Sequence, residues 1–366
     1  MVKCRKTVGV LGATGSVGKH VVRFLAPYAE ILAASRHPTR RDQEGIKACQ
    51  LDLLDNLALR EFLKSCDLVV NCAAPGSLTE ERVARIACEL GVDYVDPGGD
   101  ELLYAALASR TVAQQSAILS AGMLPGLSGV LPRLLAEEFT RLTALTGYIL
   151  SHEPFSTGGA KDFLVSLDNG FGIAGLSLQR GELQPCASPG ECQLPLASIA
   201  AQAVPFLSSE WQRMSRQQRL GEVAWFNLYP HGELYNWLGT VREKSPRKGV
   251  HTTPAQRVEQ LVALSLADFA SKPTQHVIAV EASGWRDGKL STRSIVLSAR
   301  QGAELTAAVT AFTAIQQLNG KLPERLHFAA DVLPARPLLT FLAENLPSLR
   351  VLRIDGALSK QEEGTI

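Results

Sequence analysis

The feature that most constrains this chain is the run Gly12-Ala13-Thr14-Gly15-Ser16-Val17-Gly18. It follows a short apolar stretch, Thr7–Leu11, and opens a helical pattern over Ser16–Leu25. A GxxGxxG string alone is weak, because glycines gather in loops by chance. A strand before it, a helix after it and a place at the first element of the chain together read as the start of a dinucleotide-binding βαβ unit. Gly12 permits the tight turn, Gly15 lets the backbone approach a pyrophosphate with no Cβ in the way, and Gly18 lets the helix pack closely on the strand. Thr14, Ser16 and Val17 complete the loop, whose amides at the helix start face phosphates where the helix dipole favours negative charge. The alternative is a plain turn between strand and helix.

The pattern continues as a doubly wound sheet. Strands are expected at Ile31–Ala34, Ala48–Leu51, Asp67–Asn71, Asp93–Val95 and Ala117–Leu119. Helices are expected at Leu57–Lys64, Glu80–Leu90 (stopped by Gly91) and Leu102–Gln114. Buried Val, Ile and Leu runs alternating with helices mean a parallel sheet covered on both faces. Residues 1–125 are therefore assigned to a Rossmann domain. Beyond them, Leu145–His152 reads as a long alternating strand and Ser156–Ala160 as a Ser/Thr/Gly loop before a helix from Lys161. Hairpin-like pieces follow at Ile173–Gln179, Val223–Tyr229 and Asn236–Val241. A clear hairpin joins Gln275–Ala282 and Leu290–Ala299 through Asp287-Gly288. Residues 126–300 are assigned to an α+β catalytic domain with a mainly antiparallel sheet. Residues 301–366 are assigned to a C-terminal segment that packs back on the Rossmann domain through a helix at Ala303–Leu318. Gln184–Pro195 and Glu243–Pro254 read as mobile loops and the tail from Ser359 as frayed.

The second strand bears on cofactor choice. An NAD site usually places Asp or Glu at the C-terminal end of that strand, to hold the ribose hydroxyls. Here that end reads Ser35-Arg36-His37, with Arg40 and Arg41 close by and no carboxylate before Asp42. A hydroxyl beside a guanidinium suits a 2′-phosphate, which points to NADPH; the bland alternative is a solvated arginine loop. Asp52, after the third strand, is placed either at the adenine edge or as a helix N-cap. In Asn71-Cys72-Ala73-Ala74-Pro75-Gly76, the small residues Ala73, Ala74 and Pro75, with Asn71, let a dinucleotide lie across the strand ends.

Bulk properties exclude several classes. At 366 residues the chain suits two domains. With 37 basic against 36 acidic residues, the net charge of +1 points to neither nucleic acid nor an anionic membrane as a partner. Apolar runs break well before the roughly 20 residues of a membrane span. The basic start, Met1–Lys6, is followed by only a short strand, so it is not a signal peptide. Seven cysteines with no CxxC pair read as reduced thiols in a cytoplasmic protein, and no metal site is expected.

At this point the sequence resembles the saccharopine dehydrogenase-like family. The matching pieces are the glycine loop, Asn71–Gly76, Gly91-Val92-Asp93-Tyr94-Val95-Asp96 and Ala121-Gly122-Met123-Leu124-Pro125-Gly126-Leu127-Ser128. The likeness covers about residues 5 to 135 well and the remainder in element order. It implies NAD(P)H chemistry on C–N bonds. Within that family the chain is similar in size and second domain to the stand-alone thiazolinyl imine reductases of siderophore assembly, of the enantio-pyochelin kind. Those reduce a thiazoline to a thiazolidine while the intermediate is tethered to a carrier protein of a nonribosomal peptide synthetase. The partners this implies are an imine substrate, free or carrier-tethered, and a synthetase; a homodimer is compatible. Saccharopine-forming enzymes need basic residues for several carboxylates, and residues 145–300 offer no evident arginine cluster. Two other readings stay open: an amino-acid oxidoreductase on a free small substrate, and an NADPH-binding sensor or scaffold without turnover.

Imine reduction needs a hydride at carbon and a proton at nitrogen, and a group titrating near neutrality serves the second need best. His152 ends the first strand of the second domain, just before the Ser156–Gly159 loop, which is expected to close over the nicotinamide. Tyr148 shares its strand face four residues back, and Lys161 and Asp162 start the following helix. His152 is the first candidate, with Tyr148, Lys161 and Asp162 behind it; the alternative for His152 is a structural histidine. His231 and His251 are weaker candidates. Trp211, Trp225, Trp237 and Trp285 either line a pocket or fill a core.

Overall fold

A computed structural model describes residues 5–38, 42–110, 114–168, 171–242, 253–270 and 273–359. The chain opens with β1 (Thr7–Leu11), α1 (Gly18–Leu25), β2 (Glu30–Ser35), β3 (Ile46–Gln50), α2 (Asn56–Lys64) and β4 (Leu68–Asn71). It continues with α3 (Gly76–Leu90), β5 (Asp93–Val95), α4 (Glu101–Leu107), β6 (Ser116–Leu119) and α5 (Leu127–Ala136). β1 and β4 are buried almost throughout, as strands covered on both faces must be. Gly91 ends α3 in the left-handed region at φ 70°, where no Cβ penalty arises. Asp55 caps α2, its Oδ1 accepting from the Leu57 and Ala58 amides at 2.9 and 3.1 Å.

Next come β7 (Arg141–His152), α6 (Thr157–Asp168), β8 (Gly172–Ala174), β9 (Leu176–Gln179), β10 (Glu182–Pro185), β11 (Glu191–Cys192) and β12 (Ala201–Ser208). α7 (Ser209–Gln218), β13 (Glu222–Tyr229), α8 (Glu233–Arg242), α9 (Pro254–Phe269), β14 (Gln275–Arg286) and β15 (Lys289–Ala299) follow. The chain then runs through α10 (Gly302–Leu318), β16 (Arg325–Phe328), α11 (Ala329–Val332), α12 (Ala335–Asn345) and β17 (Arg350–Ile354).

Two units result. One holds the described residues up to Val130 together with Ala303–Leu346. Its sheet runs β16-β6-β5-β4-β1-β2-β3, with every pairing parallel. The order reverses between β1 and β4, which makes that junction the topological switch point. α10 belongs to this unit: Thr310 Oγ1 donates to the Ala121 carbonyl at 2.8 Å, and Gln317 Nε2 to Asp93 Oδ2 at 2.9 Å. The fold is thus α/β, with a Rossmann sheet extended at one edge by a strand from far along the chain.

The other unit holds Leu131–Gly302 and the residues from Pro347. Its sheet runs β10-β9-β13-β7-β14-β15-β17, with β12 beside β13. Its described pairings are antiparallel except β7 with β13. Asp287 and Gly288, at φ 50° and 76°, make the two-residue turn between β14 and β15. β17 joins this sheet rather than the first, so the C-terminal segment divides between the units.

Three sequence expectations need correction. Asn236–Val241 is not a strand but part of α8, whose first amides are capped from α9: Asp268 accepts from Glu233 N at 3.3 Å and Leu234 N at 2.8 Å. The Ser156–Gly159 loop is the start of α6, for Ser156 Oγ accepts from the Gly159 amide at 3.1 Å. Gln184–Pro195 carries the ends of β10 and β11, tied down by Ser188 Oγ donating to the Ala203 carbonyl at 2.5 Å. Of Glu243–Pro254, residues 243–252 lie outside the described residues, and Pro254 opens α9 behind a capping box at Thr253.

Candidate dinucleotide-binding site

Backbone, not side chains, shapes the turn after β1. Gly12 sits at φ +70°, and a Cβ there would lie 2.6 Å from the Cys72 carbonyl oxygen. The loop therefore packs directly on the segment that follows β4. A Cβ at Gly18 would lie 2.2 Å from the Gly12 carbonyl oxygen, so α1 begins this close to the turn because Gly18 has none. Gly15 differs: a Cβ there would meet the Gly12 carbonyl oxygen at 3.1 Å and nothing else within 4 Å. Its outer side is open and leaves the room a pyrophosphate needs. Thr14 and Ser16 are exposed, and Val17 stands at the N-cap of α1 with no side-chain capping bond, so no side chain competes for the amides at the helix start.

Ser35 closes β2. Its hydroxyl is buried and finds no hydrogen-bond partner among the described residues. An unmade bond of that kind costs roughly 1–3 kcal/mol, which a ligand oxygen would relieve. Arg36 and His37 beside it are exposed, while Arg40 and Arg41 lie outside the described residues. Asp52 is exposed and turns back on its own segment, Oδ1 accepting from Leu54 N at 3.0 Å. The N-cap role belongs instead to Asp55. The orphaned hydroxyl, the neighbouring guanidinium and the open glycine turn fit a 2′-phosphorylated dinucleotide.

Asn71 ends β4 with its amide spent inside the domain. Nδ2 donates to Tyr94 Oη at 3.2 Å and Asp96 Oδ2 at 3.1 Å, and Oδ1 accepts from Ala73 N at 3.4 Å. Tyr94 donates its hydroxyl to Asp96 Oδ2, and Gly98 N donates to Asp96 Oδ1 at 2.8 Å. Asn71 therefore positions the Ala73–Pro75 strip from below. Thr79 Oγ1 anchors the same strip, donating to the Ala73 and Pro75 carbonyls at 3.3 and 3.4 Å. Tyr94 and Asp96 are missed as site residues by sequence reasoning, although both stand in the Gly91–Asp96 motif. The only signal is a carboxylate ending an apolar strand.

The second unit separates the catalytic candidates. His152 is 1% exposed, with Nδ1 3.1 Å from the Pro273 carbonyl and its ring 4.3 Å from that of Phe269. Tyr148 is half-buried and stacks on Phe226 at 5.2 Å. Burial first, then the Glu281 charge, pushes its phenol up to about 12. Lys161 is exposed and Asp162 half-buried, and both lie inside α6 rather than at its start. A better-built titratable group is His276, at 5% exposed: Nε2 lies 2.7 Å from Glu153 Oε2 and Nδ1 3.3 Å from Ser151 Oγ. Glu153 Oε2 also accepts from Gly302 N at 3.0 Å. Nothing local in the sequence announces this array, because Ser151 at the end of β7 and Glu153 just after it meet His276 of β14, more than a hundred residues on. His231 is exposed beside Gln202 and Glu191; His251 lies outside the described residues. Trp211 and Trp225 fill the core, edge to face at 4.8 Å.

An arginine cluster also forms in this unit, from residues distant in sequence. Arg286, Arg293 and Arg353 stand 3.9, 3.5 and 3.5 Å from Glu138, and Arg293 also pairs with Asp355. Among the described residues no helix is long and apolar enough to cross a membrane, and no group of three metal-ligating side chains occurs.

Comparison with known proteins bears on the first unit most directly. Residues 8–123 match the family described as Saccharopine dehydrogenase NADP binding domain. No curated protein matches the sequence significantly. Among solved structures, apo saccharopine dehydrogenase (L-Glu forming) from Saccharomyces cerevisiae superposes with a TM-score of 0.66 at 16% identity, covering 95% of this chain and all (100%) of that one. The C. glutamicum DAP dehydrogenase in complex with DAP gives a TM-score of 0.49 at 14% identity, covering 93% and 99%. The likeness to the yeast enzyme establishes a shared fold. The first unit thus carries a stretch, residues 8–123, that matches the NADP-binding domain of saccharopine dehydrogenase.

Proposed function

We propose that this chain is an NADPH-dependent oxidoreductase that reduces a C=N bond, with the thiazoline of a carrier-tethered siderophore intermediate as its substrate. The observation that carries the reading is the NADP-binding domain itself, with an orphaned Ser35 hydroxyl next to Arg36 where an NAD site would place a carboxylate. The resemblance to imine-reducing members of the family carries the choice of bond and substrate. Bound NADPH supplies the hydride. The chain's own residues hold the 2′-phosphate (Ser35, Arg36), admit the pyrophosphate (Gly15) and fix the strip after β4 (Asn71, Thr79). Proton delivery to nitrogen falls to a side chain of the second unit, with Tyr148, His152, Lys161 and Asp162 as candidates and the His276–Glu153 pair beside them.

A second reading, an oxidoreductase acting on a free amino-acid substrate, is favoured by the Arg286, Arg293 and Arg353 cluster, where three guanidinium groups meet three carboxylates, Glu138, Asp287 and Asp355. The deciding experiment follows NADPH consumption with a carrier-bound thiazoline and with simple imines, and NADP+ reduction with saccharopine, a secondary amine that can only be oxidised. Thiazoline-dependent oxidation yielding thiazolidine supports the proposal. Turnover of saccharopine alone supports the second reading. Binding of NADPH without turnover of any of them indicates a sensor.

A further inference from the structure

The sheet order divides the dinucleotide between its two halves. Ser35 and Arg36, at the end of β2, take the adenosine-side phosphate. The nicotinamide side therefore falls across the switch point, toward the ends of β4 and β5. Directly after β5 stands Asp96, 2% exposed. Its Oδ2 accepts from the Tyr94 hydroxyl and from Asn71 Nδ2 at 3.1 Å, and its Oδ1 from Gly98 N at 2.8 Å. Each of these neighbours donates, which stabilises the ionised carboxylate. The phenol is held in its donor form: burial and the adjacent carboxylate raise Tyr94 well above its ordinary value. The same charge reaches the strip after β4, where burial foremost and Asp96 next push the Cys72 thiol up. A carboxylate in this setting is not general hydrogen-bonding filler. Ionised, it places a negative charge, with the Glu80 carboxylate near it, at the strand end on the half of the site where the cofactor changes charge.

We propose that Asp96 sets the redox preference of the dinucleotide site, favouring the cationic oxidised nicotinamide over the neutral reduced ring. The inference rests on the dinucleotide reading of this unit. A charge buried at an effective dielectric near 20 acts over several ångströms with an energy worth a tenfold change or more in an equilibrium. Reduced cofactor bound here is accordingly a better hydride donor than in water, and oxidised cofactor is held more tightly than it would be without the carboxylate. Asn71 and Tyr94 hold the Asp96 carboxylate by hydrogen bonds.

The test is a pair of binding measurements on the full-length protein: NADPH by its fluorescence, and NADP+ by competition. Asp96→Asn is expected to weaken NADP+ relative to NADPH by about fivefold or more. Tyr94→Phe, which keeps the charge, leaves the ratio near its wild-type value. The wild type is expected to hold NADP+ at least as tightly as NADPH. An unmoved ratio in a folded Asp96→Asn overturns the inference. So does a wild-type preference for NADPH of about tenfold or more, which needs no variant to fold. Failure of the wild type to bind either cofactor overturns the dinucleotide reading itself.

Discussion

Ser35 and Arg36 stand at the end of a Rossmann β2, where cofactor choice is usually made, and that position is readable from strand order alone. Arg36→Ala is expected to weaken NADPH far more than NADH, since loss of a charge-assisted pair costs on the order of 1.5–3 kcal/mol, roughly 10- to 150-fold. Parallel titrations check this, and equal wild-type affinities for the two cofactors would sink it. His152 is less legible: sequence places it at a strand end before glycines, where a proton donor would suit, and the fold packs it against Phe269. His152→Ala is therefore expected to lower stability by about 1–3 kcal/mol. A loss of about 10²-fold in turnover at unchanged stability would instead make it the proton donor. Tyr148 adds a pH dependence. Its phenol titrates at about 12 in the fold against about 10 unfolded, so the unfolded state loses its proton first. The stability this gives is full below pH 10 and is lost as pH rises toward 12. Between about pH 9 and about pH 11 the unfolding midpoint of the wild type should fall relative to that of Tyr148→Phe.

Elements were readable where their signals are local. β5 has the expected bounds, Asp93–Val95, because an apolar run between a helix-stopping glycine and a carboxylate leaves little choice. The turn at Asp287-Gly288 is equally local. α8 is not: the cap on its first amides comes from Asp268, 34 residues beyond Leu234, and its buried residues Leu234 and Leu238 repeat at helical rather than strand spacing. α6 is expected only from Lys161, because the glycines of its first turn look like a loop, although Ser156 caps them. The β1–α1 junction yields the sharpest prediction at this scale. A Cβ at Gly15 meets the Gly12 carbonyl oxygen at a tight 3.1 Å, so Gly15→Val needs a shift of a few tenths of an ångström there and should keep the fold while abolishing NADPH binding. A melting curve and a cofactor-fluorescence titration on the same sample read both halves. Binding retained by a folded variant means the loop is only a turn.

Across the whole chain, the first unit is discontinuous, and that has a thermodynamic consequence. α10 contributes Leu305, Ala307, Ala308, Val309, Ala311, Phe312, Ala314 and Ile315 as buried side chains. Phe312 meets Phe341 of α12 at 5.5 Å, and Phe341 meets Phe24 of α1 at 6.5 Å. At the unit's edge β16 pairs with β6 from Arg325↔Ser116 to Phe328↔Leu119, and Ser116 Oγ donates to the Pro323 carbonyl at 3.1 Å. The sequence hints at this return through an apolar helix at Ala303–Leu318, but the parallel pairing of β16 spans some two hundred residues and leaves no local mark. Fully burying even four or five large side chains is worth about 1.5–3 kcal/mol each, so the segment matches or exceeds the 5–15 kcal/mol by which a domain is usually stable. A chain ending after residue 136 keeps β1 to β6 and the glycine loop, yet is expected to lack a cooperative melting transition and to bind no NADPH. Co-expression with residues 303–346 as a separate polypeptide should restore both, because it returns the covering helix and the seventh strand without any covalent link. Circular dichroism melts and cofactor fluorescence on the two samples decide the matter, and a truncated chain that melts cooperatively and binds NADPH would show that β1 to β6 suffice.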